Sequence, residues 1–229
     1  LDVGGVKAGP GPEVTAEEEP ERVIPAIEVL HQRFDLPISV DTWRAEVLRQ
    51  SLAVGANVGN DISGFADPDY LPVAAAGKAT VVATHIRLAE LAEAAVGAAR
   101  VADPDPIYDD VVADVAAFLV DRADRALAAG IPPTRVIIDA GLDLGKIKHQ
   151  SIELLHRSDD LAKLGYPLLL SASNKRFLFE LLETERHDIA AGTITDTGAN
   201  GANATCGGAT LQSPADDLDG PAGDSVGFE

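Results

Sequence analysis

The chain has 229 residues, 46% of them hydrophobic, so it is long enough to bury a substantial core. Its formal net charge of −19 disfavours nucleic acid and anionic membrane surfaces as partners, because both are bound through clustered Lys and Arg. No apolar run reaches the ~18 residues of a membrane span, and no secretion signal opens the sequence. Cys206 is the single cysteine, which excludes an internal disulfide and predicts a cytoplasmic location. The sequence contains no methionine, so we expect a fragment or a processed chain.

Hydrophobic spacing predicts alternating strands and helices along most of the chain. In chain order, we predict a strand ending within residues 1–5, a helix over 17–33, a strand over 37–42, a helix over 44–54, a strand over 58–64, a helix over 71–76, a strand over 79–85, a helix over 109–129, a strand over 136–139, a helix over 152–163, a strand over 167–171 and a helix over 177–182. Residues 6–15 are predicted to form a loop, and residues 86–106 a long Ala-rich connection. The alternation indicates βα units and a parallel sheet.

Several predicted strands end in, or shortly before, polar residues suited to holding a small heterocycle. These residues are Asp41, Asn60, Asp139 and Lys175. In a parallel α/β barrel, the reactive side chains lie at the carboxyl ends of the strands. We therefore predict a TIM (β/α)8 barrel with a site at these strand ends. About six of the eight strands are present, so the barrel is expected to be incomplete.

A change of composition near Thr193 divides the chain. Residues 1–193 carry the alternating pattern and are predicted to form the barrel. Residues 194–229 are rich in Gly, Ala and Asp, lack Lys and Arg, and show no apolar periodicity, which predicts a disordered acidic tail. A change of reading frame near Thr193 is our hypothesis for this boundary, and resequencing the gene at that codon tests it.

Five segments, in the same order, resemble motifs of the dihydropteroate synthase family, the pterin-binding (β/α)8 barrels of folate biosynthesis. The matches are residues 1–11 to D-x-G-G-E-S-T-R-P-G, 39–42 to S-x-D-T, 60–64 to N-D-x-[ST]-G, 138–146 to D-P-G-x-G-F-G-K, and 173–177 to S-R-K-x-F. The resemblance runs from residue 1 to about residue 193.

The resemblance implies a role for each polar residue at the strand ends. Asp41, Asn60, Asp139 and Lys175 would bind the pterin, and Ser173 would lie beside p-aminobenzoate. A buried carboxylate that accepts two parallel N–H bonds is a selective partner for such a ring edge. The family reaction joins 6-hydroxymethyl-7,8-dihydropterin pyrophosphate to p-aminobenzoate, giving dihydropteroate and pyrophosphate, with Mg²⁺ assisting the leaving group. The resemblance also implies a homodimer formed through late helices on the outer face.

Each of these polar residues also has a structural interpretation. Asp41 could cap the next helix, Asp139 could be a turn residue, and Asn60 could bond only to the barrel backbone. His85 stands where the family often has His, although a single His is usually structural. For Lys146 we expect a solvated side chain.

The chain departs from the family pattern at several positions that the family uses in its reaction. Ala8 and Gly9 replace the Thr-Arg pair of the second-strand loop, and Asn174 replaces Arg. The first strand, whose Asn is the usual Mg²⁺ ligand, and the final R-x-H strand have no counterpart, so we assign no metal ligand. The loop and Asn174 are similar to the divergent second homologue of mycobacteria and related actinobacteria, which is thought not to make dihydropteroate.

Three hypotheses therefore stay open: an active transferase, a non-catalytic or repurposed pterin-binding protein, and a truncated product without stable function. Stabilisation by pterin without pyrophosphate release would favour the second. A non-cooperative thermal transition would favour the third.

Overall fold

The computed structural model describes residues 1–6, 14–87 and 106–182. Contacts divide the chain into a first unit, Leu1–Ser171, and a second unit, Ala172–Glu229. The described elements are β1 (Asp2–Gly4), α1 (Glu18–Arg33), β2 (Ser39–Asp41), α2 (Ala45–Ala53), β3 (Val58–Asp61), α3 (Tyr70–Ala76), β4 (Thr80–Thr84), α4 (Val111–Ala128), a 3-10 turn (Pro133–Arg135), β5 (Val136–Asp139), α5 (Lys148–His156), α6 (Ser158–Ala162), β6 (Leu168–Leu169) and α7 (Arg176–Leu182). Most of the predicted 6–15 loop and 86–106 connection, and all of the predicted 194–229 tail, lie outside the described residues. The boundary at Thr193 stays a prediction.

The strands of the first unit form one parallel sheet. Its six strands follow the chain order, β1-β2-β3-β4-β5-β6, and every neighbouring pair is parallel. Consecutive parallel strands joined by helical crossovers are the arrangement of a (β/α)8 barrel, of which the described residues supply six strands. The predicted α/β class and incomplete barrel are confirmed.

The two faces of the sheet have different surroundings because side chains alternate along each strand. Val40, Val81 and Val136 face the helices and join a buried apolar cluster with residues such as Ile27 and Leu48. We call the opposite face of the sheet, away from this cluster, the inner face.

Three predicted elements are wrong in their extent, and one of them, the strand predicted over 58–64, ends at Asp61. The expected helix over 152–163 is two helices, because the backbone of Arg157 leaves the helical region at φ −106° and ψ 26°. There the Arg157 guanidinium pairs with Glu153 and Asp160. The expected strand over 167–171 is only Leu168–Leu169, because its partner β5 ends at Asp139, the register partner of Leu169.

The helices of the described part of the chain contain no segment with the length and apolar character needed to cross a bilayer. The cytoplasmic location stays a prediction.

The N-terminus of α2 is capped by a residue from a later loop. A side-chain oxygen of Asp67 accepts a hydrogen bond from the backbone N–H of Ala45 at 2.9 Å. Asp41, which we considered as a cap for this helix, does not make that bond. The structural interpretation of Asp41 as the cap is therefore wrong.

Asp67→Ala is expected to lower the free energy of unfolding by about 1 kcal/mol, because it removes this cap. Asp69→Ala is the matched control, since Asp69 precedes α3 without a side-chain cap bond. Urea denaturation of the two variants checks the prediction. Equal losses in both would contradict it.

Candidate functional site

Asp41 and Asn60 lie side by side on the inner face of the sheet. They are register partners on β2 and β3, and the backbone N–H of Thr42 donates to the carbonyl of Asn60 at 3.0 Å. Gly4, the partner of Asp41 on β1, has no side chain, and a Cβ placed there would lie 3.5 Å from the Asp41 carboxylate. The side chain of Asp41 therefore lies directly beside the Gly4 backbone on this face.

The two polar residues of the Asn60-Asp61 motif face opposite sides of the sheet. Asp61 is fully buried, and its carboxylate accepts hydrogen bonds from the backbone N–H groups of Ser63 (2.7 Å) and Phe65 (2.9 Å). These bonds close the turn after β3 and end the strand earlier than predicted. The Asn60 amide makes no hydrogen bond to any group within the described residues. The interpretation of Asn60 as a partner of the barrel backbone therefore finds no support there.

Asp139 lies on the same inner face at the end of β5. It is 5% exposed, and one carboxylate oxygen accepts the backbone N–H of Gly141 at 2.8 Å. The Ser171 hydroxyl donates to the other oxygen at 3.4 Å. Asp139 is therefore a turn residue, as we considered. A carboxylate has about four acceptor positions, so it can serve the turn and a ligand together.

Between Asn60 and Asp139, the inner face carries the apolar residues Val82 and Ile137, with Thr84 on β4 as the register partner of Asp139. Val82 on β4 is the register partner of both Asn60 and Ile137, and Asp139 stands two residues beyond Ile137. Since β3 and β5 are two strand spacings apart, roughly 10 Å, a flat ring over Val82 and Ile137 would have polar groups at both ends.

Lys146 is buried, so the prediction of a solvated side chain is wrong. It is 6% exposed, and its ammonium group donates to the carbonyls of Gly141 at 2.8 Å and Leu144 at 3.0 Å. Nδ1 of His85 lies 2.8 Å from the same nitrogen. With Lys146 in its ammonium form, Nδ1 must accept this bond, which assigns the imidazole proton to Nε2.

His85 connects the carboxyl ends of β4 and β5. His85 is 5% exposed, and its ring makes an edge contact with Phe118 of α4, with 4.8 Å between the ring centroids. Burial, followed by the nearby charge of Lys146, holds the pKa of His85 well below its ordinary value. Arg87 and Arg122 add to this effect. The folded protein therefore keeps His85 neutral.

Acid is expected to destabilise the fold through His85. The unfolded chain takes up a proton near pH 6.5, which the folded chain resists, so this contribution to stability is present above about pH 6.5 and is lost as the pH falls. Below about pH 6.5, His85 adds up to about 1.4 kcal/mol per pH unit to the slope of the free energy of unfolding against pH. Urea denaturation from about pH 7.5 to about pH 5 should show a shallower pH dependence for His85→Gln than for the unsubstituted chain. Parallel curves would contradict the prediction.

Ser173 and Lys175 belong to the second unit. Ser173 is exposed and Lys175 is half-buried, immediately before α7. The backbone N–H of Lys175 donates to the carbonyl of Ala172 at 3.3 Å, across a turn in which Asn174 has φ of 53°. The role of Lys175 toward a pterin and that of Ser173 toward p-aminobenzoate stay predictions. The substituted positions Ala8 and Gly9 lie outside the described residues.

A surface hollow of about 530 Å³ lies between the end of α1 and the start of β2. Its lining residues include His31, Phe34, Pro37 and Asn57. This is the side of the amino ends of the strands, whereas chemistry in barrels of this kind lies at the carboxyl ends. The inner-face residues are therefore the candidate site, and the hollow is not.

Two features of the site were not predicted from the sequence: the hydrogen bond from Ser171 to Asp139 and the burial of Lys146. The glycines at 141 and 145 were the available signal. Closely spaced glycines often mark positions where another group approaches the backbone.

Comparison with known proteins identifies the family. The sequence pattern of the family described as pterin binding enzyme matches residues 1–206. The dihydropteroate synthase of Synechocystis is 37% identical over 217 residues, covering 92% of this chain and 70% of that protein. The inactive dihydropteroate synthase 2 of Mycobacterium leprae is 40% identical over 198 residues, covering 86% of this chain and 67% of that protein.

Solved structures agree with this result. The dihydropteroate synthase of Xanthomonas albilineans with 4-aminobenzoic acid superposes with a TM-score of 0.72 at 39% identity. The match covers 81% of this chain and 63% of that one, so the chain spans less than two thirds of this structural relative. The same enzyme in complex with 7,8-dihydropteroate gives a TM-score of 0.67. The chain belongs to the pterin-binding enzyme family, and its relatives include both a dihydropteroate synthase and an inactive homologue.

Proposed function

We propose that this chain binds a pterin on the inner face of its sheet and is a dihydropteroate synthase of folate biosynthesis. One observation carries the proposal: Asp41, Asn60 and Asp139, from three strands, occupy one face near the carboxyl ends of those strands. Relatives solved with 4-aminobenzoic acid and with 7,8-dihydropteroate support the same ligand classes for this chain.

The proposed residues suit the edge of a pterin ring. That edge presents a guanidine-like set of N–H donors beside a carbonyl acceptor. The carboxylate of Asp139 would accept parallel N–H bonds, and such charge-assisted bonds are roughly twice as strong as neutral ones. The Asn60 amide would both donate and accept, and the carboxylate of Asp41 would accept from the neighbouring ring nitrogen or its amino group.

The proposed reaction requires positioning more than acid–base chemistry. The amine nitrogen of p-aminobenzoate forms a bond to the methylene carbon of the pterin, the bond from that carbon to the pyrophosphate oxygen breaks, and the nitrogen loses a proton. Holding the ring fixed converts the encounter into an effectively unimolecular step. The inner-face residues would supply this by orienting the pterin.

Mg²⁺ enters the proposal only with the substrate. In the described part of the chain, no group of three or more His, Cys, Asp or Glu side chains could hold a metal ion. We therefore derive no step through a resident Mg²⁺. Mg²⁺ commonly binds through substrate phosphates while keeping several waters, and it would reach this protein bound to the pyrophosphate.

A second candidate function is pterin binding without turnover. It is favoured by Ala8, Gly9 and Asn174, which replace two arginines and a threonine of the family pattern, and by the inactive homologue at 40% identity. Losing a guanidinium that stabilises developing charge costs about 3 kcal/mol, or two to three orders of magnitude in rate.

Titration of the full 229-residue chain with 6-hydroxymethyl-7,8-dihydropterin pyrophosphate and Mg²⁺ tests both candidates. Binding heat and pyrophosphate release are followed with and without p-aminobenzoate. Release that depends on p-aminobenzoate and is lost in Asp41→Asn, but not in the exposed control Asp69→Asn, supports the synthase. Binding without release supports the second candidate, and absence of binding rejects both.

A further inference from the structure

Lys146 fixes the loop that follows β5. Its ammonium group donates hydrogen bonds to the Gly141 and Leu144 carbonyls of this loop and to Nδ1 of His85, which follows β4. The His85 carbonyl is a fourth, longer contact at 3.4 Å. The loop between Gly141 and Lys146 is thereby closed on itself and tied to the end of the neighbouring strand.

Two glycines give this loop the backbone conformation in which its carbonyls reach Lys146. Gly141 and Gly145 have φ of 63° and 62°, in the left-handed region that glycine adopts without strain. A Cβ on Gly141 would lie 1.8 Å from the carbonyl oxygen of His85, so only glycine permits this approach. The Tyr108 hydroxyl also donates to the Gly145 carbonyl at 2.8 Å.

The same loop holds the carboxylate of Asp139. The Gly141 N–H donates to Asp139 at 2.8 Å, and the Gly141 carbonyl accepts from Lys146 at 2.8 Å. Gly141 therefore bonds to Lys146 through its carbonyl and to Asp139 through its N–H. A shift of Gly141 would weaken its bond to Asp139 and leave the carboxylate with the longer 3.4 Å bond from Ser171.

We propose that Lys146, with His85 as its acceptor, is a positioning residue that orients the Asp139 carboxylate toward the pterin. This rests on the proposed pterin site, and it makes the lysine a determinant of ligand affinity without contact to the ligand. A merely structural lysine would affect pterin binding only through global stability.

Four variants of the full chain separate these roles. Lys146→Met removes the ammonium group, and Lys163→Met makes the same change at a lysine whose side chain is 68% exposed. Ile27→Ala destabilises the fold from α1, away from this loop. His85→Gln replaces the imidazole with an amide whose oxygen can accept the same bond from Lys146.

Two readouts are measured on each variant: amide hydrogen exchange at Gly141, and affinity for 6-hydroxymethyl-7,8-dihydropterin. We expect Lys146→Met to accelerate exchange at Gly141 and to weaken pterin binding about 10- to 100-fold, since small displacements of positioning groups have effects of this size. Lys163→Met should change neither. Ile27→Ala should keep its affinity at a denaturant concentration where most of the protein is folded, and faster exchange in this variant should be shared by the amides of the whole sheet rather than confined to Gly141. His85→Gln should keep most of the affinity.

The exchange readout does not depend on the proposed function. Unchanged exchange at Gly141 in Lys146→Met would overturn the positioning role, whether or not pterin binds. Faster exchange with unchanged affinity would overturn it as well, leaving a structural lysine. If the unsubstituted chain binds no pterin, the proposed function fails, and the ligand-orienting role of Lys146 fails with it even where the exchange result is as expected.

Discussion

Asp139→Asn is expected to weaken pterin binding about 30- to 1,000-fold while leaving the fold intact. The amide oxygen can still accept the Gly141 N–H, so the turn after β5 persists. The amide nitrogen would face the N–H donors of the ring, and charge-assisted bonds contribute about 1.5–3 kcal/mol each. Titration calorimetry with 6-hydroxymethyl-7,8-dihydropterin measures the loss.

The control for this variant is Asp69→Asn, which makes the same change at an exposed carboxylate before α3. Thermal denaturation of both variants should match that of the unsubstituted chain to within a few degrees. Retained affinity in Asp139→Asn would mean that this carboxylate does not contact the ring.

Glu19→Leu is expected to cause the largest loss of stability, about 3–5 kcal/mol. Glu19 is fully buried in α1 and forms an ion pair with Arg44, whose side chain is 16% exposed. Arg44 also donates to the Val14 carbonyl at 2.8 Å and lies 4.3 Å over the ring of Trp43. Removing the carboxylate leaves a largely buried guanidinium, 16% exposed, without its counter-charge, just after the strand that carries Asp41.

The double variant Glu19→Leu with Arg44→Met distinguishes an unpaired charge from a simple packing defect. Replacing both members of a buried pair is often neutral, so the double variant should recover most of the stability. Urea denaturation of the two single variants and the double variant gives the coupling energy. A double variant as unstable as Glu19→Leu alone would contradict the explanation.

The sequence was sufficient to predict that the polar residues after β2, β3 and β5 lie at one edge of a parallel sheet, because the carboxyl ends of parallel strands meet there. It could not predict that Asp41, Asn60 and Asp139 share one face, because that depends on the register of the strands. The same reasoning could not decide the cap of α2. Its capping oxygen comes from Asp67, 22 residues after Ala45, and no local pattern encodes a contact of that range.

The burial of Lys146 could not be predicted from the sequence for a related reason. A lysine in a glycine-rich turn is normally solvated, and its acceptor His85 is 61 residues away. Only the pairing of β4 with β5 brings the two together.

The break between α5 and α6 could not be predicted either, because the apolar spacing continues across Arg157 while its guanidinium pairs with acidic neighbours on both sides.

The most direct measurement is a nuclear magnetic resonance titration of the ¹⁵N-labelled chain with 6-hydroxymethyl-7,8-dihydropterin. A pterin site on the inner face predicts saturable shifts at the amides of Thr42, Asp61 and Gly141, which adjoin the proposed ligand residues. Shifts confined to the hollow between α1 and β2, or no shifts at concentrations near the solubility of the pterin, would contradict the proposed site.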